Sequence, residues 1–186
     1  IAYSHKNVKV CASHAGVTLG EDGATHQILE DLGMMKMLPG FTVINPCDYE
    51  QTKAATIAIA DHHGPVYLRF GRPGWPIFTN SFEFKIGKAI VMNEGTGVSI
   101  FATGHLMWNA IEAAKQLATE GISCELINIH TIKPLDEAAV LQSASKTRCV
   151  VTAEEHQMYG GLGGSIAQLL ARHQPTPMEM IAVNDS

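Results

Sequence analysis

Short β-branched runs alternate along this chain with stretches whose apolar residues recur every three to four positions, and this alternation constrains the fold more than any other feature. Val8–Ser13 (VKVCAS), Phe41–Asn45 (FTVIN), Val66–Phe70 (VYLRF), Val98–Ala102, Ile122–Ile129 and Arg148–Thr152 read as strands. Strands that are apolar on both faces belong to parallel sheets covered by helices on each side. Between them, Ile28, Leu29, Leu32 and Met35 fall at helical spacing after Thr25, a potential cap. Asp48, three residues before Gln51, has the spacing of a capping box ahead of a helix through Ala54–Ala60 that Gly64 stops. Met107–Glu120, Asp136–Ala144 and Gly164–Arg172 supply the remaining helices.

Such alternation predicts the α/β class: two small doubly wound three-layer α/β/α units with mostly parallel sheets. Gly71–Phe84 (GRPGWPIFTNSFEF) carries two prolines and two glycines with little periodicity and reads as a linker. The expected organisation is a first unit over residues 1–70, a linker over 71–84 and a second unit over 85–186. Only three clear strands fall in the first unit, few for a covered parallel sheet. The chain opens almost on a strand and stops at MIAVNDS, a strand running into a loop. The natural polypeptide is therefore expected to extend on both sides, with the first unit truncated.

Composition narrows the partners. Net charge is −5, and lysine and arginine form no stripe, which argues against a nucleic-acid footprint. An anionic small ligand remains compatible, because two or three local cations hold a phosphate inside an acidic protein. No apolar stretch approaches the ~20 residues of a membrane span, and no basic segment followed by an apolar one marks a signal peptide at the start. Cys11, Cys47, Cys124 and Cys149 are scattered, and Cys11, Cys124 and Cys149 sit in strand-like runs. Reduced core thiols in a cytoplasmic protein are the expectation.

Chemistry concentrates in His14–Gln27, HAGVTLGEDGATHQ. It begins where the first strand ends, and in open α/β sheets ligands sit beyond the carboxyl ends of strands. Gly16, Gly20 and Gly23 let the backbone turn tightly. His14 and His26 exchange protons near neutrality, and Asp22 accepts hydrogen bonds from hydroxyls. A polar surface loop with Thr25 as a helix cap is the alternative. It is neither a Rossmann fingerprint nor a P-loop. Arg69 and Arg72 of YLRFGR lie at another strand end, where guanidinium groups suit phosphate or carboxylate, or pair with surface acids. His62-His63 reads as a helix terminus favoured by the dipole. Glu154, Glu155 and His156 follow a strand, and GGLGG reads as a tight turn into a helix, with a phosphate cradle as the alternative. No His/Asp/Glu spacing makes a metal site.

SHAGVTLGEDGATHQ, LPGFTVINPCD and VYLRFGR together resemble the pyrimidine-binding domain of transketolases. GKAI, ATGH, INIHTIKPLDE, VVTAEEHQMYGGLGGSIA and IAVND resemble the C-terminal domain of the same family. GEDGATHQ is the most specific element. Related deoxyxylulose-phosphate synthases carry DGxTHQ but usually place arginine at the His14 position and lack the Glu21-Asp22 pair in that form. The β subunits of 2-oxo-acid dehydrogenases share the C-terminal elements without GEDGATHQ.

The resemblance implies the trailing part of an enzyme that moves a two-carbon ketol unit between sugar phosphates. It implies that His14 and Arg69 hold the sugar phosphate, Asp22 bonds a substrate hydroxyl, and His26 assists proton transfer at the reacting carbon. Arg72 has no secure family counterpart and is a possible auxiliary cation. The implied cofactor is thiamine diphosphate with a divalent metal (Mg2+ or Ca2+), bound mainly by residues outside this chain. The implied partners are a diphosphate-binding half or subunit and further copies, in a dimer or heterotetramer. A deoxyxylulose-phosphate synthase-like enzyme and a noncatalytic assembly module are the rival readings.

Overall fold

The computed structural model describes residues 1–80 and 84–185, so residues 81–83 of the expected linker lie outside the described residues. In chain order the elements are β1 (Lys9–Ala12), α1 (Asp31–Met37), β2 (Thr42–Ile44), α2 (Tyr49–Asp61), β3 (Val66–Arg69), β4 (Ile90–Asn93) and β5 (Val98–Ala102). There follow α3 (Leu106–Thr119), β6 (Cys124–Asn128), β7 (Thr131–Lys133), α4 (Glu137–Thr147), β8 (Val150–Gln157), α5 (Leu162–His173) and β9 (Met178–Val183). They build two mostly parallel sheets flanked by helices, the α/β architecture expected from the alternation.

Among the described residues the first sheet runs β1-β3-β2-β7, with β1 and β2 both parallel to β3. Its fourth strand is borrowed: β7 lies far along the chain and pairs antiparallel with β2. Residues 1–70 themselves supply the three strands expected of them, and β7 is a separate strand beyond the one expected at Ile122–Ile129, which appears as β6. The second sheet runs β4-β6-β5-β8-β9, antiparallel only at the β4 edge.

Strand pleating distributes the core. On β5, Ile100 and Ala102 pack with Met107, Ala110 and Ala114 of α3. The intervening Phe101 packs with Val140, Leu162 and Ile166 of α4 and α5. On the first sheet, Ile44, Val66 and Leu68 face α2. Val43 and Tyr67 turn the other way, into the cluster that holds Phe101 and Ile127. The two sheets therefore share one apolar core.

Local departures have identifiable causes. The helix expected from Ile28 begins only at Asp31, because the Ile28 carbonyl accepts Gly16 N at 3.1 Å and the Leu29 carbonyl accepts Gln157 N at 2.8 Å. Thr25 caps nothing; its hydroxyl bonds the Asp22 carbonyl (3.3 Å) and His26 Nδ1 (2.9 Å) within a short 3-10 turn. Asp48 does cap α2, accepting from Gln51 N at 2.9 Å, while Gln51 returns its amide oxygen to Cys47 N. The same carboxylate accepts Phe78 N (2.9 Å) and Thr79 N (2.7 Å), anchoring the expected linker to the helix. At the end of α2 the cation is Lys9, whose Nζ donates to the His62 and Gly64 carbonyls at 2.7 Å each. His62 is the C-cap, and its Nε2 meets the Thr42 hydroxyl at 3.3 Å.

All four cysteines are free. Cys47 and Cys124 are buried, Cys149 is partly so, and Cys11, expected in a core strand, is exposed. No helix among the described residues is long and apolar enough to cross a membrane.

A buried polar network ties the sheets together. Asp31 Oδ2 accepts Arg69 Nε and the Tyr67 hydroxyl, each at 2.8 Å. Arg69 also donates to the Glu155 carbonyl at 2.7 Å and to Asn45 Oδ1 at 3.5 Å. Burial, then the nearby Asp31 carboxylate, raise the Tyr67 hydroxyl above its usual range. Close by, His130 is fully buried against Phe84, ring centroids 4.3 Å apart, with Nδ1 2.9 Å from the Thr131 hydroxyl.

Two expectations follow from these buried groups. Asp31→Ala leaves the Arg69 guanidinium buried without its carboxylate and should cost about 3–5 kcal/mol in urea unfolding. Burial lowers the His130 pKa from 6.5 to about 4. The unfolded chain then binds a proton across that window that the folded chain excludes. His130 thus destabilises the fold progressively as pH falls from 6.5 towards 4, by up to about 3 kcal/mol. His130→Gln removes the titration, so its stability relative to the parent should rise over that interval in pH-dependent urea titrations.

Candidate functional site

β1 and β3 end side by side, with Ala12 opposite Arg69. Beyond those carboxyl ends the chain enters two loops, residues 13–30 and 70–76, the position where a parallel sheet presents a ligand site. The first loop is held by backbone at its root, Ala15 N donating to the Phe70 carbonyl at 3.3 Å. Leu19 buries its side chain almost completely. Gln27 Nε2 donates to the Val17 carbonyl at 3.0 Å, closing the loop on itself.

This scaffold leaves His14, Glu21, Asp22 and His26 exposed. His14 takes a left-handed backbone, φ 68°, and its Nδ1 lies 2.8 Å from the Ser13 hydroxyl. His26 Nδ1 is likewise engaged by the neighbouring Thr25 hydroxyl. Among the described residues neither ring has a hydrogen bond at Nε2, so each keeps one nitrogen for proton exchange or a ligand.

The two arginines differ sharply. Arg72 reaches the first loop, pairing with Asp22 Oδ2 at 2.6 Å and donating to the Leu19 carbonyl at 3.3 Å. Both members of the Arg72–Asp22 pair remain about 40% exposed, 41% and 42%. Arg69 is only 3% exposed and spends its donors on Asp31, Asn45 and the Glu155 carbonyl. The structure thus brings Asp22 and Arg72 together and sets Arg69 beneath them.

The second half of the chain supplies groups to which the sequence assigns no role. Glu154, Glu155 and His156 do not follow β8; they lie within it and are buried. Glu154 takes Leu162 N (2.6 Å) and Gly163 N (2.8 Å), so its carboxylate already fills the N-terminus of α5. That settles GGLGG as a tight turn and leaves no phosphate cradle. His156 Nε2 accepts Gly33 N at 3.1 Å, serving as the cap that α1 lacks in its own sequence. Glu155 Oε2 accepts the Thr18 hydroxyl at 3.1 Å. Burial raises the Glu155 pKa, opposed by that hydrogen bond and by Arg69.

His105 lies against Gly71 so closely that a Cβ there would stand 2.1 Å from its ring, and Trp75 packs against it in a tilted arrangement, centroids 5.1 Å apart. Burial, then Arg69, lower the His105 pKa to about 4, so this imidazole is neutral behind the arginine loop. The glycine at 71 beside a histidine of a distant helix start is a tertiary fact with no sequence signature.

A cleft of about 1260 Å³ lies elsewhere, between α1, β7 and α5. Its lysines are engaged: Lys36 donates to the Gly161 carbonyl and Ser165, and Lys133 to the Lys36 and Leu38 carbonyls. No cluster of three His, Cys, Asp or Glu suited to a metal ion occurs among the described residues.

Comparison with known proteins places this geometry. Residues 1–76 match the family described as "Transketolase, pyrimidine binding domain", and residues 87–186 match "Transketolase, C-terminal domain". A 6-deoxy-6-sulfo-D-fructose transketolase subunit from Clostridium sp. (strain MSTE9) is 44% identical over 100% of this chain and 58% of its own length. An apulose-4-phosphate transketolase subunit from Phocaeicola vulgatus is 36% identical over 100% of this chain and 60% of its own. A solved structure described as "Split gene transketolase, inactive beta4 tetramer" superposes with a TM-score of 0.93 at 41% identity, covering 100% of this chain and 59% of that one. The chain thus spans less than two thirds of the length of these relatives. With both halves matched in order and the exposed His14–Gln27 loop carried within the first of them, the chain belongs to the transketolase family.

Proposed function

We propose that this chain is the sugar-facing part of a thiamine-diphosphate-dependent transketolase, moving a two-carbon ketol unit between anionic sugars when joined to a diphosphate-binding half. One observation carries the reading: His14, Asp22 and His26 are exposed on one loop beyond the strand ends, with the Arg72 guanidinium 2.6 Å from Asp22. Such a donor set suits a polyhydroxylated ligand with a terminal anion. It does not suit a metal–diphosphate group, since the described residues offer no three-ligand cluster. The diphosphate and its divalent metal are assigned to the partner half on the strength of the transketolase family match.

When bound, thiamine diphosphate supplies carbanion stabilisation. The residues of this chain bind, orient and exchange protons. His14 and Arg72 hold the terminal phosphate or sulfonate. Asp22 accepts a hydrogen bond from a sugar hydroxyl, and the same contact draws it from its resting partner Arg72. His26 moves a proton to or from the substrate oxygen through its ring nitrogen. Arg69, buried and bonded to Asp31, Asn45 and the Glu155 carbonyl, acts as a positioning residue beneath the loop, while Arg72 is the exposed guanidinium offered to an anion. The names of the relatives, one a sulfo-sugar and one a sugar phosphate transketolase, support a site that reads the anion. Assembly with a diphosphate-binding subunit and with further copies is supported by the similar split-gene structure, described as an inactive β4 tetramer.

The test is ketol transfer by the complex reconstituted with the diphosphate-binding subunit. Asp22→Ala and His26→Ala should each lower kcat/KM on the order of 10²–10⁴-fold; unchanged activity in both would leave an assembly module instead. Arg72→Ala should raise KM for an anionic sugar about 10- to 100-fold while sparing a sugar without the terminal anion. An unchanged KM would remove Arg72 from the anion site.

A further inference from the structure

Glu155 is a charged residue in an unusual place. It sits on β8 of the second sheet, 7% exposed, yet its side chain reaches the loop that follows the first strand of the first sheet. Its partner Thr18 lies midway between His14 and Asp22, four residues from each. Gly16 covers the carboxylate so closely that a Cβ would stand 2.0 Å from Oε2, and its φ of +87° favours glycine independently. The backbone of the same residue receives Arg69 at 2.7 Å. One residue of the second half therefore holds both the loop, through its carboxylate, and the end of β3, through its carbonyl.

Burying a carboxylate is unfavourable, and an apolar side chain would fill the space at lower cost. What an apolar side chain lacks is a directional acceptor. Reaching Oε2 orients the Thr18 hydroxyl, and that contact restrains the backbone between His14 and Asp22. Among the described residues, this is the contact by which a side chain of the second sheet grips the segment between His14 and His26. Glu154 and His156, on either side, grip α5 and α1 instead.

We propose that Glu155 is a positioning residue of the sugar site: through Thr18, the second half of the chain sets the conformation in which His14, Asp22 and His26 meet substrate. This rests on the transketolase reading given above. The acceptor oxygen carries the role, so an amide can replace it.

The experiment uses the reconstituted complex with Glu155→Ala, Glu155→Gln, Thr18→Val and the Thr18→Val/Glu155→Ala pair. Glu155→Ala and Thr18→Val should each raise KM for an anionic sugar about fivefold, with kcat changed less, and the double variant should match the singles. Glu155→Gln should stay near the parent. Amide hydrogen exchange over residues 16–29 should quicken in Glu155→Ala and Thr18→Val, with α5 and β5 unchanged. Additive KM effects, a Gln variant as impaired as Ala, or exchange that quickens through β8 and α5 alike would each overturn the proposal. A parent complex without ketol transfer would defeat the functional reading alone. The exchange data would still decide the positioning role, since an undisturbed loop in Glu155→Ala would sink it.

Discussion

The buried ion pair between Asp31 and Arg69 is the interaction on which the rest of this molecule depends. Each partner is nearly inaccessible, and the pair is held at 2.8 Å. Two charges removed from water need more than each other, because desolvation of both outweighs their mutual attraction unless the remaining donors and acceptors are also met. The additional partners come from separate elements: Tyr67 from β3, Asn45 after β2 and the Glu155 carbonyl on β8. Although Asp31 Oδ1 stays without a partner among the described residues, these contacts join α1, two strands of the first sheet and one strand of the second in a single arrangement. β7 reinforces it by pairing with β2 across the same junction.

That arrangement determines what the site can be. With Arg69 committed below, the cation left at the surface is Arg72, and it reaches Asp22 rather than solvent alone. β8 spends three consecutive polar residues on three neighbours: Glu154 on α5, Glu155 on the loop and His156 on α1. The exposed face of the loop is free for chemistry because its buried face is anchored by groups from the other half. Rigid support under a polar loop is the usual way a scaffold presents binding residues.

Much of this is legible in the sequence, and the departures share one cause. The strands at β1, β2, β3 and β5 and the capping of α2 by Asp48 follow from local patterns, because periodicity and caps act over a few residues. The start of α1 lies three residues beyond its periodic pattern, since the carbonyls of Ile28 and Leu29 are taken by Gly16 and Gln157. β4 and β7 escape a local reading because runs of four and three residues are too short to show a period. β8 runs past Thr152, where its pattern stops, because Glu-Glu-His reads as a loop unless its partners are known.

By itself, then, the sequence determined the α/β class and most of the alternating elements, and its resemblance to a known family singled out the loop that carries His14, Asp22 and His26 for a functional proposal. The class and the elements rest on side-chain periodicity and on residue chemistry within short windows. Only the tertiary structure decided that Arg69 is internal and Arg72 external, that Glu155 and His156 serve elements more than a hundred residues away, and that the first sheet is completed by a strand of the second half. Whether a charged group is consumed or available depends on which distant carbonyl or carboxylate lies within hydrogen-bond reach. No local pattern encodes that distance.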